Sequence, residues 1–180
     1  MNLLKIGHRG VKGHLAENTL ESIQKALNFG VDAIEIDVHR CETGELVVIH
    51  DFTLDRTTNG SGEVAKKSLS EIKGLNVEDE FGIPLLTEVL DFIEGKCTIN
   101  IELKGLNTAT ATAKIIKKYI AEKNWTYKDF IVSSFQKNEL FQMRKLDKNV
   151  ALGILSKASV TEAIELGKLL KASAIHPSLG

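Results

Sequence analysis

Short, almost unbroken apolar runs recur along this chain, at 3–8, 33–38, 46–50, 98–103, 130–134, 150–155 and 174–176. Stretches with helical spacing lie between most of them. Leu20, Ile23 and Leu27 keep that spacing up to Gly30, and Ala109, Ala113, Ile116 and Ile120 keep it over 108–123. Runs that are apolar on both faces suit strands covered on both sides, and strand–helix repetition with short linkers specifies a parallel sheet under helices. Asn18-x-x-Glu21 and Ser159-x-x-Glu162 read as capping boxes, and Thr87 as the N-cap of a helix ending at Gly95. No Gly-x-Gly-x-x-Gly follows a strand, so a dinucleotide-binding fold has no support. Polar residues instead collect at the carboxyl ends of the runs: His8, Glu35 and Asp37, His50, Glu102 and Lys104. That is the habit of a β/α (TIM-type) barrel. With seven strands in the count, the expected fold is such a barrel, C-terminally incomplete, with about seven of eight strands.

The pattern loosens over 52–83, where Asn59-Gly60 marks a tight turn and 69–75 a short helix. This reads as a small insertion after strand three within a single domain covering 1–180. One connection resists the scheme. Parallel neighbours need a crossover of about a dozen residues or more, and only nine residues, 38–46, separate Asp37 from Val47. Strands two and three must therefore be joined irregularly.

A hydrophobic content of 43% over 180 residues supplies a sizeable core. The net charge of −1, with both signs mixed, points to neither nucleic acid nor an anionic membrane surface as partner. Cys41 and Cys97 match no zinc spacing and read as small buried or half-buried thiols in a reducing compartment. The N-terminal apolar run is too short for a signal peptide, and no segment approaches the length of a membrane span. The expectation is a cytoplasmic protein without stable membrane insertion.

Glu35 and Asp37 sit two apart in a run otherwise made of Ala, Ile and Val, so on a strand both carboxylates share one face, about 7 Å apart at the backbone. Two acids on an apolar face cost several kcal/mol, roughly, unless positive charge lies between them. A divalent cation meets that need, and so does a salt-bridged pair on an edge strand. Asn100, Glu102 and Lys104 repeat the arrangement on a second strand. Three carboxylates without a Cys or His pair at ligand spacing favour a hard cation, Mg²⁺ or Ca²⁺, over Zn²⁺. Arg9 and Lys104 bring positive charge suited to a phosphate, although Lys104 could equally neutralise Glu102. His8 and His50 change charge near neutral pH, as a general acid and a general base must. His14, His39 and His176 read as structural hydrogen bonders, and 59–62 as a plain turn rather than a phosphate nest.

Taken together, His8-Arg9-Gly10, Glu17-Asn18-Thr19, Glu35-x-Asp37-Val38, His50-Asp51, Arg56-Thr57-Thr58, Ile83-Pro84-x-Leu86 and Ile101-Glu102-x-Lys104 closely resemble the glycerophosphodiester phosphodiesterases. Order and spacing agree from Leu4 to about Ser134, and more weakly to Pro177. The resemblance implies a β/α barrel that hydrolyses glycerophosphodiesters to an alcohol and glycerol 3-phosphate. It also implies His8 and His50 as acid and base, one divalent cation on Glu35, Asp37 and Glu102, and phosphate contacts from Arg9 and Lys104. The motifs are similar, less closely, to lysophospholipase D-like and phosphoinositide phospholipase-like enzymes; a non-catalytic metal-binding barrel fragment is the reading from another class. Ala16 stands where the family has proline, and Cys41 where it has threonine. The family's last strand, with its Trp-Thr-Val-Asn motif, is not found, and Trp125 lies elsewhere. Strands one and seven would then face each other unpaired, an open barrel edge that invites self-association.

Overall fold

The computed structural model describes residues 3–157 and 159–177. In chain order the elements are β1 (Ile6–His8), α1 (Leu20–Asn28), β2 (Ala33–Arg40), β3 (Leu46–Val48), a 3-10 turn (Val64–Lys66), α2 (Leu69–Lys73), β4 (Asn76–Val77), β5 (Phe81–Gly82) and α3 (Leu86–Ile93). There follow β6 (Thr98–Leu103), α4 (Ala109–Glu122), β7 (Phe130–Ser134), α5 (Lys137–Leu146), β8 (Ala151–Ser156), α6 (Val160–Leu170) and β9 (Ala174–Pro177). No helix among the described residues is long and apolar enough to cross a membrane.

Among the described residues the main sheet has seven strands, the number expected from the sequence, but only six of them are parallel, in the order β1-β2-β6-β7-β8-β9. The seventh, β3, pairs with β2 antiparallel, Val38 opposite Val48 and Arg40 opposite Leu46. This corrects the reading of the third run as a parallel barrel strand and accounts for the short connection. Antiparallel neighbours need only a tight turn, here through Gly44 in the left-handed region at φ 111°. The Val38 carbonyl accepts from Lys104 and Gly105 on the β6 side, whereas the Asp37 carbonyl accepts from Ile49. Successive carbonyls of a strand face opposite edges, so β3 lies on the edge of β2 that β1 vacates. The sheet curls: His8 from β1 and His176 from β9, at opposite ends of the strand order, line one cleft.

Ile34, Ile36, Ile99 and Ile101 are fully buried, and they pack with Leu90, Ile93, Ile116 and Phe130 in the main core. A second, smaller cluster joins Leu54, Val64, Ile72, Val77 and Ile83 of the 52–83 segment to Val47 and Ile49. The segment is thereby packed onto β3.

Two caps differ from expectation. Asn18 is not the N-cap of α1; Thr19 is, accepting from the Ser22 amide, and Asn18 adopts a left-handed conformation that frees its side chain for other work. Thr87 lies inside α3, which begins one residue earlier, and the Leu85 amide at its start donates to Glu88 at 2.8 Å. Ser159 does cap α6, accepting from the Glu162 amide at 3.2 Å.

Candidate active site

The register of three central strands assembles the site. In the parallel ladders His8 pairs with Glu35, and Asp37 with Glu102. Side chains at paired positions point to the same face, so the acids of β2 and β6 converge. Glu35, Asp37 and Glu102 each offer an oxygen within 4.8 Å of the others. All three side chains are buried. Burial first, and then the neighbouring Asp37 charge, pushes the Glu35 carboxyl up to about 8, opposed by the Arg9 amide that donates to it at 3.0 Å. Glu102 is raised as well, chiefly by burial, against a hydrogen bond from Lys104 Nζ at 2.9 Å.

Asp37 is the most enclosed of the three. Its Oδ2 accepts from Asn18 Nδ2 at 3.0 Å and lies 3.2 Å from Arg9 Nε. The Asp37 amide donates back to Asn18 Oδ1 at 3.3 Å. Its Oδ1 is buried without a hydrogen bond, 3.6 Å from Lys104 Nζ. A buried carboxylate oxygen lacking a donor, beside two acids whose pKa values burial raises, fits a hard cation bound on the three side chains.

The remaining predicted residues ring this cluster. His8 is exposed, its Nε2 3.8 Å from Glu35 Oε2, and burial together with the Arg9 charge lowers its pKa. The Arg9 guanidinium is buried and donates to Glu17 at 2.9 Å. Arg9 also borders a cleft of ≈ 680 Å³ together with His8, His50, Glu102 and Lys104. All seven residues singled out in the sequence therefore meet in one place. His39 has the structural role expected, donating from Nε2 to the His50 carbonyl at 3.1 Å. His176 instead borders the cleft, with its ring over Gly153.

Residues 8–179 match the model of the glycerophosphoryl diester phosphodiesterase family. The chain belongs to this family. A glycerophosphodiester phosphodiesterase of Caldanaerobacter subterraneus is 36% identical over 98% of the chain and 76% of its own length. One from Bacillus altitudinis is 33% identical over 96% of the chain and 74% of its own. Among solved structures, an Oleispira antarctica phosphodiesterase in complex with the product sn-glycerol-3-phosphate superposes with a TM-score of 0.86. It is 30% identical and covers 96% of this chain and 73% of its own. The Agrobacterium tumefaciens glycerophosphodiester phosphodiesterase gives 0.82, with 29% identity over 97% of the chain and 76% of its own. The barrel assignment thus stands, with six parallel strands among the described residues and β3 as a side branch.

Several groups around the phosphodiesterase cleft are given no part in the site by the sequence. Asn18 grips Asp37, while Glu17, Asp51 and Arg56 form ion pairs beside it. All four occur in motifs shared with the family, but nothing in their spacing shows that residues 17 and 56 touch. Phe135 and Lys157 also line the cleft, with Lys157 Nζ 5.0 Å from the Phe135 ring centre. They carry no local signal beyond following β7 and β8.

Proposed function

We propose that this chain hydrolyses glycerophosphodiesters to an alcohol and glycerol 3-phosphate, using one divalent cation, Mg²⁺ or Ca²⁺, on Glu35, Asp37 and Glu102. The observation that carries this reading is the in-register convergence of three buried carboxylates, one with an unpartnered oxygen, beside a cleft lined by Glu102, His8 and His50. When bound, the cation supplies Lewis acidity toward a phosphoryl oxygen and the attacking hydroxyl. Lys104 and Arg9 set fixed positive charge beside the acids, where it attracts the phosphate of the diester and opposes charge building on it. His8 and His50 exchange protons with the attacking hydroxyl and the departing alkoxide; a neutral imidazole takes a proton and the imidazolium of its partner gives one. His8 is suited to accepting, because burial of its ring and the Arg9 charge shift its pKa downward and favour the neutral imidazole. The attacking hydroxyl belongs to water or to the glycerol moiety. Phosphorus NMR of a single turnover separates the two, because the second produces a cyclic phosphate first.

The direct test is turnover of glycerophosphocholine with Mg²⁺, with Ca²⁺ and with chelator. His8→Ala and His50→Ala should each lower kcat by about 10²–10⁴-fold and leave cation affinity nearly intact. Equal loss of cation binding in either variant would make that histidine a ligand.

A further inference from the structure

His50 Nδ1 lies 2.5 Å from Asp51 Oδ1. The Asp51 carboxylate is clamped by Arg56, through Nε on Oδ2 at 2.5 Å and Nη2 on Oδ1 at 3.1 Å. The same Nη2 donates to Glu17 Oε1 at 2.6 Å. Glu17 is nearly buried and is shared: Arg9 Nη1 donates to it at 2.9 Å, and Lys12 Nζ lies 3.4 Å from its other oxygen. Hydrogen bonds thus run from His50 through Asp51, Arg56 and Glu17 to Arg9, whose Nε lies in ion-pair contact with Asp37 without a hydrogen bond. They join residues 17 and 56, which come from different loops.

The donor and acceptor rules along this path leave little choice. A guanidinium only donates, so both carboxylates around Arg56 accept. An ionised carboxylate has no proton to give, so Asp51 must also accept from His50, which places the ring proton on Nδ1. The lone pair of the neutral ring is then on Nε2, the nitrogen left for proton exchange. We infer that Arg56 is a positioning residue: by fixing Asp51 against Glu17 it sets the tautomer and orientation of His50 and ties the His50 loop to the loop bearing Arg9. This rests on the proton-transfer role of His50 proposed above. A purely structural Arg56 would brace the two loops and leave the ring proton where it is.

The measurement that separates these is ring-nitrogen NMR of His50 in the full chain, with and without Mg²⁺, alongside steady-state kinetics on glycerophosphocholine. The native neutral ring should carry its proton on Nδ1. Arg56→Met should mix the tautomers and lower kcat by about 10–10²-fold while KM changes little; Arg56→Lys, with a single donating nitrogen in place of a fork, should recover part of the loss. Asp51→Asn is nearly isosteric and guards against misfolding. Arg56 would claim the amide oxygen, the amide NH₂ would face the imidazole, and the tautomer should reverse, with a kcat loss toward the upper end of about 10²–10⁴-fold. Native ring signals and native kcat in Arg56→Met, or an unreversed tautomer in Asp51→Asn, would overturn the inference. A native chain without turnover would sink the proposed function, and the ring-nitrogen spectra would still decide this point.

Discussion

Asn18 holds a left-handed backbone at φ 61°, and its carboxamide meets Asp37 twice, donating to the carboxylate and accepting from the amide. Support of this kind orients a ligand, and its loss typically weakens metal affinity by about 10–100-fold. Asn18→Gly removes the carboxamide while tolerating the positive φ. Calorimetric titration with Mg²⁺ or Ca²⁺ should show that loss, and unchanged affinity would deny Asn18 its role. Glu35 makes a prediction about pH. Its folded pKa is raised, to about 8, so the fold binds its proton more tightly than the unfolded chain does. Stability from this group is full below the unfolded carboxylate pKa and is lost as pH rises toward about 8. Glu102, shifted in the same direction, adds to the effect. A bound cation requires the ionised forms and so relieves the penalty that grows over this window. The rise in Tm on adding Mg²⁺ or Ca²⁺ should therefore be small near pH 5 and larger near pH 8, within that window. A rise independent of pH would place the cation elsewhere.

At the scale of elements, the end of β6 is pressed against β2. A Cβ on Gly105 would stand 2.9 Å from His39 Nδ1 and 3.1 Å from His39 Cα, and His39 in turn holds the His50 carbonyl. Gly105→Ala should cost about 1–3 kcal/mol, as overpacking does, read as a lower urea midpoint, and kcat should fall with it. An unchanged midpoint would mean that the turn yields freely. Sequence reading did well wherever an element is defined by its own residues. The strands β2 and β6 declare themselves through Ile and Val around Glu35, Asp37 and Glu102, and α5 falls at 137–146 as its pattern indicates. Reading from sequence failed where the deciding partner is distant. A three-residue strand such as β3 has the same composition whichever way it runs, so only the short link to β2 hinted at its direction. Asn18 suits an N-cap by residue type, and only the approach of Asp37 reassigns it. At the start of α4 no cap is made by Thr108; instead Glu139 of α5 accepts from the amides of Asn107 and Ala109. The candidate site was legible for a related reason. Its acids violate the apolar pattern around them, whereas Glu17 and Arg56 sit in polar loops where a charge stands out against nothing.

For the whole molecule, the two ends of the sheet matter most. Among the described residues β1 pairs with β2 alone; Ile6 within it is 54% exposed, and Leu3 and Leu4 just before it are 92% and 72% exposed. An apolar strand edge of this kind recruits another strand. Sedimentation velocity of the 180-residue chain should show association that grows with concentration and is suppressed by Ile6→Lys, a charge of the type that guards natural edges. A monomer at every concentration would count against the open edge as a contact surface. The antiparallel course of β3 has a different consequence. The carboxylates stand on β2 and β6, interior strands paired along both sides, whereas His50 leaves on a three-residue ribbon that pairs with β2 alone, Leu46 and Val48 in the main core and Val47 on the smaller cluster. Cooperative units of unequal strength open separately. On warming or in mild denaturant the ribbon should give way first, carrying His50 off while the interior strands stay folded. Inactivation would then precede unfolding, and a cation held on the interior strands would protect the fold without protecting the catalysis.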